Sequence, residues 1–424
     1  MTLLTGIIAD DFTGATDIAS TLVKQGMRVT QFLGLPDADS DPGDAQAVVI
    51  ALKSRTIPAS DAVAQSLQAL AWLRHRRAQR ILFKYCSTFD STADGNIGPV
   101  ADALMDALDT DFALVCPAFP DNHRRVYQGY LFVGDQLLED SPMRHHPLTP
   151  MRDSNLPRLM QAQSNHATGL ISHDVVQNGK QAVMQAIEQL IADGYRYGVV
   201  DALSNTDIEI IGAAVTDHAL ITGGSAIAAG IAAELKRRGA FKPADDRHQG
   251  RVEGRALIIA GSCSAATLAQ IAAIPEDWPA YRLDADRLQQ DPACVDEIVE
   301  SAQRQSSSAP LLVYASTSAD ELAGIQAKLG VEESATMIEQ ALAEIATRLA
   351  AAGFRRLIVA GGETSGAVLS ALGIDSLDIG REIDPGVPWT FTRGEPTLAL
   401  ALKSGNFGRE DFFRQALERL QETD

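Results

Sequence analysis

The stretch IIADDFTGATDIAS, residues 7–20, decides how the first half of this chain folds. The apolar run at 3–9 has the composition of a strand that is buried on both faces, and the TGATD segment at 13–17 has that of a helix start. Asp10 and Asp11 therefore fall at the carboxyl end of a strand. In open α/β sheets this is the edge at which ligands bind, so the stretch predicts the floor of a binding site.

Asp10 and Asp11 suit a ligand that carries hydroxyl groups. Carboxylates repel an anion placed directly on them, whereas a substrate hydroxyl needs an acceptor or a general base. Neighbouring side chains on an extended segment point to opposite sides, so we expect one to face the ligand and the other to orient the turn or cap the helix. A structural alternative stays open, in which Asp10 caps the helix and Asp11 and Asp17 interact with its positive end.

Length and composition indicate two large α/β domains. The chain has 424 residues, against about 150 for a typical domain, and 46% of them are hydrophobic, 21% charged and only 5% aromatic. Apolar runs alternate with helical segments, which predicts parallel sheets covered by helices on both faces. The runs typical of strands are 47–52, 81–84, 112–116, 198–201, 256–260, 311–315, 357–360 and 397–402, and the helical segments are 60–76, 98–108, 181–193, 225–236, 334–352 and 365–372.

A polar interval, RRGAFKPADDRHQGRVEG at 237–254, is the predicted domain boundary because it separates a helical segment from a strand run. The sequence thus predicts an α/β fold of two domains, each a mostly parallel sheet flanked by helices. The predicted bounds are 1–238 for the first domain, 239–254 for a linker and 255–424 for the second domain.

The charge and the cysteines exclude several classes of protein. A formal net charge of −19 argues against nonspecific binding of nucleic acid and against docking on an anionic membrane. No segment approaches the roughly 18 apolar residues of a membrane span. The four cysteines are widely spaced and form no CxxC pair, which indicates neither a zinc site nor a disulfide framework. A reducing cytoplasm is the expected location.

Three turns rich in Gly and Ser follow apolar strands in the second half, at 261–264, 361–364 and 404–408. The first two precede helices, where backbone N–H donors and the positive end of the helix dipole favour phosphate. Three such turns in one domain predict a nucleotide or phosphate site. The chain contains no GxxxxGK[ST] and no GxGxxG after a strand, so neither a P-loop NTPase nor a Rossmann dehydrogenase is supported. Glu363 suits a water-mediated contact with Mg²⁺ or, equally, the first turn of a helix.

Basic and hydroxyl side chains end two strands of the first half. Arg55 and Lys84 can hold a carboxylate, with bidentate geometry available only to Arg55, while Asp90, Ser91 and Thr92 can hydrogen-bond hydroxyl groups. We expect them at the same sheet edge as the two acids of the opening stretch. An edge that offers both acids and bases suits a polyhydroxylated acid, although Arg55 or Lys84 alone is more typical of a surface salt bridge.

Four motifs taken together resemble the four-carbon acid sugar kinase family: ADDFTGATD at 9–17, KYCSTFDSTADGN at 84–96, AGGETSG at 360–366 and LALKSGNFG at 400–408. The resemblance runs nearly end to end and is greatest to members that phosphorylate 3-oxo-tetronate. It implies an ATP- and Mg²⁺-dependent kinase of carbohydrate metabolism, with the acid sugar bound by 1–238, ATP bound by 255–424, and the active site in the cleft between the domains. The implied reaction transfers the γ-phosphoryl group of ATP to the 4-hydroxyl of 3-oxo-tetronate.

The resemblance also implies roles for single residues. The implied contacts with ATP are Ser262, Gly361, Gly362, Glu363, Thr364 and Gly405, and those with the acid sugar are Asp10, Arg55, Lys84, Asp90, Ser91 and Thr92. Asp11, or Asp10 if the strand register is reversed, would accept the proton of the 4-hydroxyl, while Arg55 and Lys84 would anchor the carboxylate. The Mg²⁺ ligands stay unassigned.

Other functions remain open from the sequence. Kinases of threonate or erythronate share most of the motifs, so the identity of the acid depends on overall similarity. A non-catalytic sensor of a sugar acid and a nucleotide has less need of acids at the substrate edge. An aldolase or isomerase would use Lys84 as its reactive amine. The oligomeric state is also open, with a homodimer as one option.

Overall fold

A computed structural model describes residues 3–146, 148–243, 252–305 and 309–421. The chain forms two compact units, residues 1–245 and 246–424. Within the predicted linker 239–254, residues 244–251 lie outside the described residues.

The first unit alternates strands and helices along most of its length. Its strands are β1 (Thr5–Ala9), β2 (Val29–Leu33), β3 (Ala47–Ala51), β4 (Ile81–Lys84), β5 (Ala113–Cys116), β6 (Arg124–Tyr127), β7 (Tyr130–Val133), β8 (Gln136–Leu137), β9 (Thr168–Ile171), β10 (Tyr197–Val200) and β11 (Leu220–Gly223). Its helices are α1 (Phe12–Lys24), α2 (Ala59–His75), α3 (Ile97–Leu108), α4 (Leu156–Gln163), α5 (His173–Gln177), α6 (Lys180–Ala192), α7 (Asn205–Val215) and α8 (Ser225–Arg237).

An eight-stranded parallel sheet forms the centre of this unit, in the order β2-β3-β1-β4-β11-β5-β10-β9. Every residue of β1, β3 and β4 is buried, as expected of a parallel sheet with helices on both faces. Strands β6, β7 and β8 form a separate antiparallel sheet.

The flanking helices of the first unit are amphipathic. In α3, the buried positions recur at helical spacing along one face and are Ile97, Gly98, Val100, Ala101, Leu104 and Met105. Helices α7 and α8 approach each other closely at two glycines, where a Cβ on Gly212 would lie 2.3 Å from the carbonyl carbon of Gly230. Larger residues at these positions would force the two helices apart.

The second unit has a mixed sheet of seven strands. The strands are β12 (Arg255–Ala260), β13 (Ala280–Arg282), β14 (Leu311–Tyr314), β15 (Phe354–Ala360), β16 (Ser376–Asp384), β17 (Val387–Phe391) and β18 (Ala399–Lys403), and the helices are α9 (Ala265–Ala272), α10 (Ala285–Gln290), α11 (Cys294–Arg304), α12 (Ala319–Leu329), α13 (Val331–Ala351), α14 (Gly362–Ala371) and α15 (Phe412–Gln421). The strand order across the sheet is β13-β14-β12-β15-β18-β17-β16. The first five strands in this order are parallel to one another, whereas β17 pairs antiparallel with both β18 and β16.

The predicted fold class is confirmed: the chain is α/β, with mostly parallel sheets flanked by helices. Each predicted strand and helix has an observed counterpart with bounds that differ by a few residues. The sequence patterns missed the short strands β2, β6, β7, β8, β9, β11 and β13 and the antiparallel pair β16 and β17. They also missed the helices α4, α5, α7, α10, α11, α12 and α15. None of the helices in the described ranges is both long enough and apolar enough to cross a membrane.

Candidate active site

The register of three neighbouring strands brings the predicted substrate residues together. Ala9 of β1 lies opposite Ala51 of β3 and opposite Lys84 of β4 in two parallel pairings. The chain segments that follow these strands therefore start at one edge of the sheet. Backbone bonds continue past the strand ends, since the Asp10 N–H donates to the Lys84 carbonyl (3.0 Å) and the Ser54 N–H donates to the Asp10 carbonyl (3.0 Å).

Arg55 lies among three carboxylates. Its Nε and Nη2 donate to the two oxygens of Asp10 at 2.9 and 2.8 Å, and Nη2 also donates to Asp11 Oδ1 at 2.6 Å. Its Nη1 lies 3.6 Å from Asp90 Oδ2. The guanidinium thus makes a bidentate pair and two further ionic contacts, so much of its hydrogen-bonding capacity is already used within the protein.

The side chains of Asp10 and Asp11 do not point to opposite sides, as they would in a continuous strand. Strand β1 ends at Ala9, and both carboxylates accept hydrogen bonds from Arg55. Asp11 caps α1, with Oδ2 accepting from the Gly14 N–H at 3.1 Å. The structural alternative considered from the sequence assigned this cap to Asp10. In the structure, both carboxylate oxygens of Asp10 accept from Arg55 instead. The side chain of Asp11 is 28% exposed and that of Asp10 only 6%, so Asp11 is the more accessible acid.

The two carboxyl groups have opposite pKa shifts. Burial raises the pKa of Asp10, and its pairing with Arg55 only partly offsets this effect. Burial also acts to raise the pKa of Asp11, but Arg55, Lys84 and the Gly14 N–H together lower it below its ordinary value. Asp11 is therefore the stronger acid and stays ionised at neutral pH.

Lys84 is buried at the end of β4, with only 3% of its surface exposed. Its ammonium donates to the Tyr85 carbonyl at 2.8 Å, and its charge acts on Asp11 and Asp17. Gly14 leaves the space for it, because a Cβ there would lie 2.6 Å from Nζ. Asp17 accepts a hydrogen bond from Ser225 Oγ, and burial raises the pKa of its carboxyl group.

The segment after β4 turns sharply beside these groups. Phe89 and Asp90 both have left-handed backbones, with φ of 65° and 44°, a conformation that side chains larger than glycine seldom adopt. Asp90 Oδ1 accepts from Thr88 Oγ1 at 2.7 Å, and Ser91 Oγ donates to Gln163 Oε1 at 2.9 Å. Thr92 is half-buried in the following turn. The turn thus directs Asp90 at Arg55, while the Ser91 hydroxyl is held by α4.

Two residues that support this site were missed in the sequence. Asn96 donates to the carbonyls of Ser54 (2.8 Å), Arg55 (3.2 Å) and Ile57 (2.9 Å), so it fixes the loop that carries the arginine. Gln163 binds Ser91 from the end of α4. Asn96 directly precedes α3 and has the signature of a helix cap, but its side chain makes no capping bond. Its actual partners lie about forty residues earlier.

The three glycine turns of the second unit also start at one sheet edge, because Ala260 lies opposite Ala360 and Ala360 opposite Lys403. Their glycines allow close contact. A Cβ on Gly405 would lie 2.2 Å from Ser262 Oγ, and one on Gly261 would lie 2.2 Å from Thr364 Oγ1. The predicted nucleotide residues of this unit are thus brought together.

Gly361 and Gly362 open helix α14. Gly361 has φ of 135°, which favours glycine, and no side chain caps the helix at this residue. The N–H groups of a first helical turn have no acceptor within the helix, so they are available to an anion. Glu363 is exposed in this first turn, whereas Thr364 is buried between the turns.

Among the described residues, no group of three or more His, Cys, Asp or Glu side chains is arranged to hold a metal ion. The cluster of Asp10, Asp11 and Asp90 surrounds a guanidinium and not a space for a cation. Mg²⁺ in kinase sites is commonly held by one or two carboxylates together with substrate phosphates. A single carboxylate in the first turn of a helix, such as that of Glu363, fits this manner of binding.

Two family models match the chain, one in each of its two compact units. Residues 5–231 match the family model of a sugar-binding N-terminal domain, and residues 257–413 match that of a nucleotide-binding C-terminal domain. The chain is 50% identical over 419 residues to the 3-oxo-tetronate kinase of Pseudomonas savastanoi pv. phaseolicola and 51% identical over 421 residues to that of Cupriavidus necator, covering 98% of this chain and 97% of the relative in both cases.

Two solved structures share the fold over the whole chain. A Haemophilus influenzae protein is 43% identical with a TM-score of 0.88, covering 98% of this chain and 100% of its own. A Salmonella typhimurium LT2 protein, provisionally described as a tRNA synthase, is 45% identical with a TM-score of 0.92, covering 99% and 100%. The 3-oxo-tetronate kinase of Salmonella typhimurium is itself 46% identical to this chain. The resemblance of the sequence motifs is confirmed, and the chain belongs to the four-carbon acid sugar kinase family, among the 3-oxo-tetronate kinases.

Proposed function

We propose that this protein is an ATP-dependent kinase that phosphorylates the 4-hydroxyl of 3-oxo-tetronate. The observation that carries the proposal is the 44–51% identity to 3-oxo-tetronate kinases over nearly the whole chain. The geometry supports it, because one unit has acids and bases at a sheet edge and the other has converging glycine turns. The same chemistry would serve a threonate or erythronate kinase, which only a substrate assay distinguishes.

On the acid-sugar side, Asp11 is the proposed general base. It is ionised at neutral pH and is more exposed than Asp10, so a substrate hydroxyl can reach it. Lys84 is the proposed anchor of the substrate carboxylate, because its buried ammonium has donors beyond the one that binds the Tyr85 carbonyl. Arg55 holds the acids in position and contributes its positive charge to the site.

On the nucleotide side, the proposed contacts are the first turn of α14, Ser262 and the turn at Gly405. Backbone N–H groups and the positive end of a helix dipole stabilise phosphate oxygens. Mg²⁺ would be held by these phosphates with the help of Glu363, and it would neutralise charge on the transferred group. In-line transfer requires little covalent chemistry from the protein, so most of the catalysis comes from positioning and electrostatics.

The test is ADP release in the presence of single four-carbon acids: 3-oxo-tetronate, threonate and erythronate, with a blank that contains no acid. We expect turnover with 3-oxo-tetronate and a phosphomonoester at C4 in the ³¹P spectrum. Turnover with threonate or erythronate alone would reassign the substrate. Binding of acid and ATP without ADP release would favour the sensor, and a borohydride-trapped adduct on Lys84 would favour the aldolase.

Replacing Gly405 by Ala is expected to weaken ATP binding about tenfold, a loss of roughly 1.4 kcal/mol. The new Cβ would lie 2.2 Å from Ser262 Oγ and 3.0 Å from Ser264 Oγ, so Ser262 must turn away from its present position. Titration calorimetry with ATP measures the change. Gly394→Ala is the matched control, because a Cβ there meets no atom within 4 Å. Equal ATP affinity in both variants would contradict the proposed role of the Gly405 turn.

The cellular setting follows from the same proposal. All four cysteines are free thiols in the structure, which suits a reducing compartment, and we propose the cytoplasm. A homodimer stays a prediction, to be checked by light scattering of the purified enzyme.

A further inference from the structure

Lys403, at the end of β18, is among the most deeply buried side chains of the protein, with 1% of its surface exposed. Within the described ranges, no carboxylate forms an ion pair with its ammonium, and burial lowers the pKa of the lysine. A buried charge without a counter-ion is costly and is seldom kept unless something compensates it. The position of this lysine, directly before the Gly405 turn, indicates where compensation would come from.

The ammonium belongs to a network that ties two of the glycine turns together. Lys403 Nζ donates to Thr267 Oγ1 and to the Gly405 carbonyl, both at 3.1 Å. The same carbonyl accepts from Ser264 Oγ at 2.6 Å and from Thr267 Oγ1 at 2.9 Å. Gly405 in turn lies against Ser262. The lysine therefore fixes the third turn against the first turn and the start of α9.

We propose that Lys403 is the cation beneath the nucleotide-binding turns, which positions Gly405 and whose charge is compensated by the phosphates of the bound nucleotide. This inference rests on the proposed ATP-binding function. It adds a residue that would favour nucleotide binding in two ways: its positive charge attracts the phosphates, and its hydrogen bond to the Gly405 carbonyl holds the third turn in place. It also predicts that nucleotide binding and protonation of this lysine are coupled.

Burial lowers the pKa of Lys403 to about 8, so the free protein holds this proton weakly. The charged or titratable side chains on the surrounding turns and strands are Cys263, Glu363, Arg355, Arg356, Asp384, Arg409, Glu410 and Asp411. Of these, Arg355 and Arg356 are near the opposite end of β15, and Arg409 pairs with Asp384. A phosphate anion close to the ammonium favours its charged form, so binding of ATP raises the pKa and takes up a proton.

The experiment is calorimetric titration of the full-length protein with ATP at pH 8.5, in two buffers of different ionisation enthalpy. We expect an uptake of between about 0.5 and 1 proton per ATP, and an affinity about tenfold weaker at pH 9 than at pH 7. ATP alone cannot produce this trend. A terminal phosphate with a second pKa of about 6 is almost fully ionised at pH 8.5, and the small gain of negative charge above pH 7 would strengthen binding near a cation. ATP binding without proton uptake, and with equal affinity at the two pH values, would overturn the inference and leave the proposed function intact. Failure to bind ATP at all would contradict both the inference about Lys403 and the proposed kinase function.

Variants separate this role from a merely structural one. Lys403→Met keeps the length of the side chain without its charge, so we expect ATP affinity at pH 7 to fall at least tenfold and proton uptake to disappear. Because the substitution removes a costly buried charge, the melting temperature should be unchanged or higher. Lys328→Met is the matched control, since Lys328 is an exposed residue of the same unit that pairs with Asp286. Unchanged ATP affinity in Lys403→Met would overturn the inference, as would proton uptake that persists in it.

Discussion

Replacing Asp11 by Asn is expected to lower kcat by about 10²- to 10⁴-fold, the usual cost of removing a general base. The amide keeps the shape of the carboxylate and can still accept from the Gly14 N–H, so the cap of α1 is retained. The variant loses the ability to take the proton of the substrate hydroxyl, and it also loses the hydrogen bond from Arg55 Nη2, because the amide nitrogen then faces that donor. The measurement is kcat at saturating acid sugar and ATP, with the Kd for ATP determined in parallel and expected to be unchanged.

Two further variants sharpen the Asp11 experiment. Asp39→Asn, on an exposed acidic loop, controls for the change of net charge. Asp10→Asn breaks the bidentate pair with Arg55, so it is expected to destabilise the protein as well as to lower activity. If Asp10→Asn lowers kcat as much as Asp11→Asn without any loss of stability, Asp10 is the base. If neither lowers kcat tenfold, the base has been misassigned.

The pH profile of kcat/KM distinguishes the two acids independently. A base must be deprotonated, so activity is lost as the pH falls through its pKa. The pKa of Asp11 is lowered from its ordinary value of 3.8, which predicts a profile that stays level well into the acid range. Burial raises the pKa of Asp10 above that ordinary value, so a loss of activity at a pH higher than 3.8 would point to Asp10.

The parts of the site predicted from sequence are those encoded by local pattern. Asp10 follows a run of five buried strand residues, and Lys84 ends another strand of four. Parallel pairing of such strands then places both residues at one edge without further information. The three glycine turns of the second unit were predicted for the same reason.

What could not be predicted depends on contacts between distant parts of the chain. Contact of Arg55 with a substrate carboxylate stays a prediction, and no local pattern indicates its pairing with Asp10, 45 residues earlier. Gln163 binds Ser91 across 72 residues, and Ser264 binds the Gly405 carbonyl across 141. The sequence shows which side chains can form ion pairs, but whether the partner is a ligand or another residue is decided by tertiary packing.

The pairing of Arg55 leads to the second large effect. Removing the guanidinium in Arg55→Met leaves Asp10, Asp11 and Asp90 close together without their shared cation. Breaking a buried ion pair by removing one partner costs about 3–5 kcal/mol of the free energy of unfolding. We expect that loss at pH 7, measured by urea unfolding, together with a fall in kcat/KM of at least about 10²-fold, because the base is no longer held in position.

The loss of stability in Arg55→Met should itself depend on pH. Without the arginine, Asp10 and Asp11 lose the charge that lowers their pKa values in the folded protein, so their repulsion is relieved as the pH falls and they take up protons. The stability difference from the wild type is therefore expected to narrow between pH 7 and pH 5. Arg55→Lys keeps the positive charge but loses the planar guanidinium that makes the bidentate pair. This variant should therefore recover part of the stability and little of the activity.

The control for Arg55 is Arg158→Met, which removes an equally well-formed bidentate pair with Asp153 at an exposed position. Exposed ion pairs contribute little because water screens them, so this variant should change neither stability nor activity appreciably. The comparison isolates burial and the number of carboxylates as the cause of any difference between the two arginines. Equal stability of the Arg55 and Arg158 variants at pH 7 would show that water also compensates the carboxylates of the candidate site. Arg55 would then be available to the substrate, as the sequence had suggested.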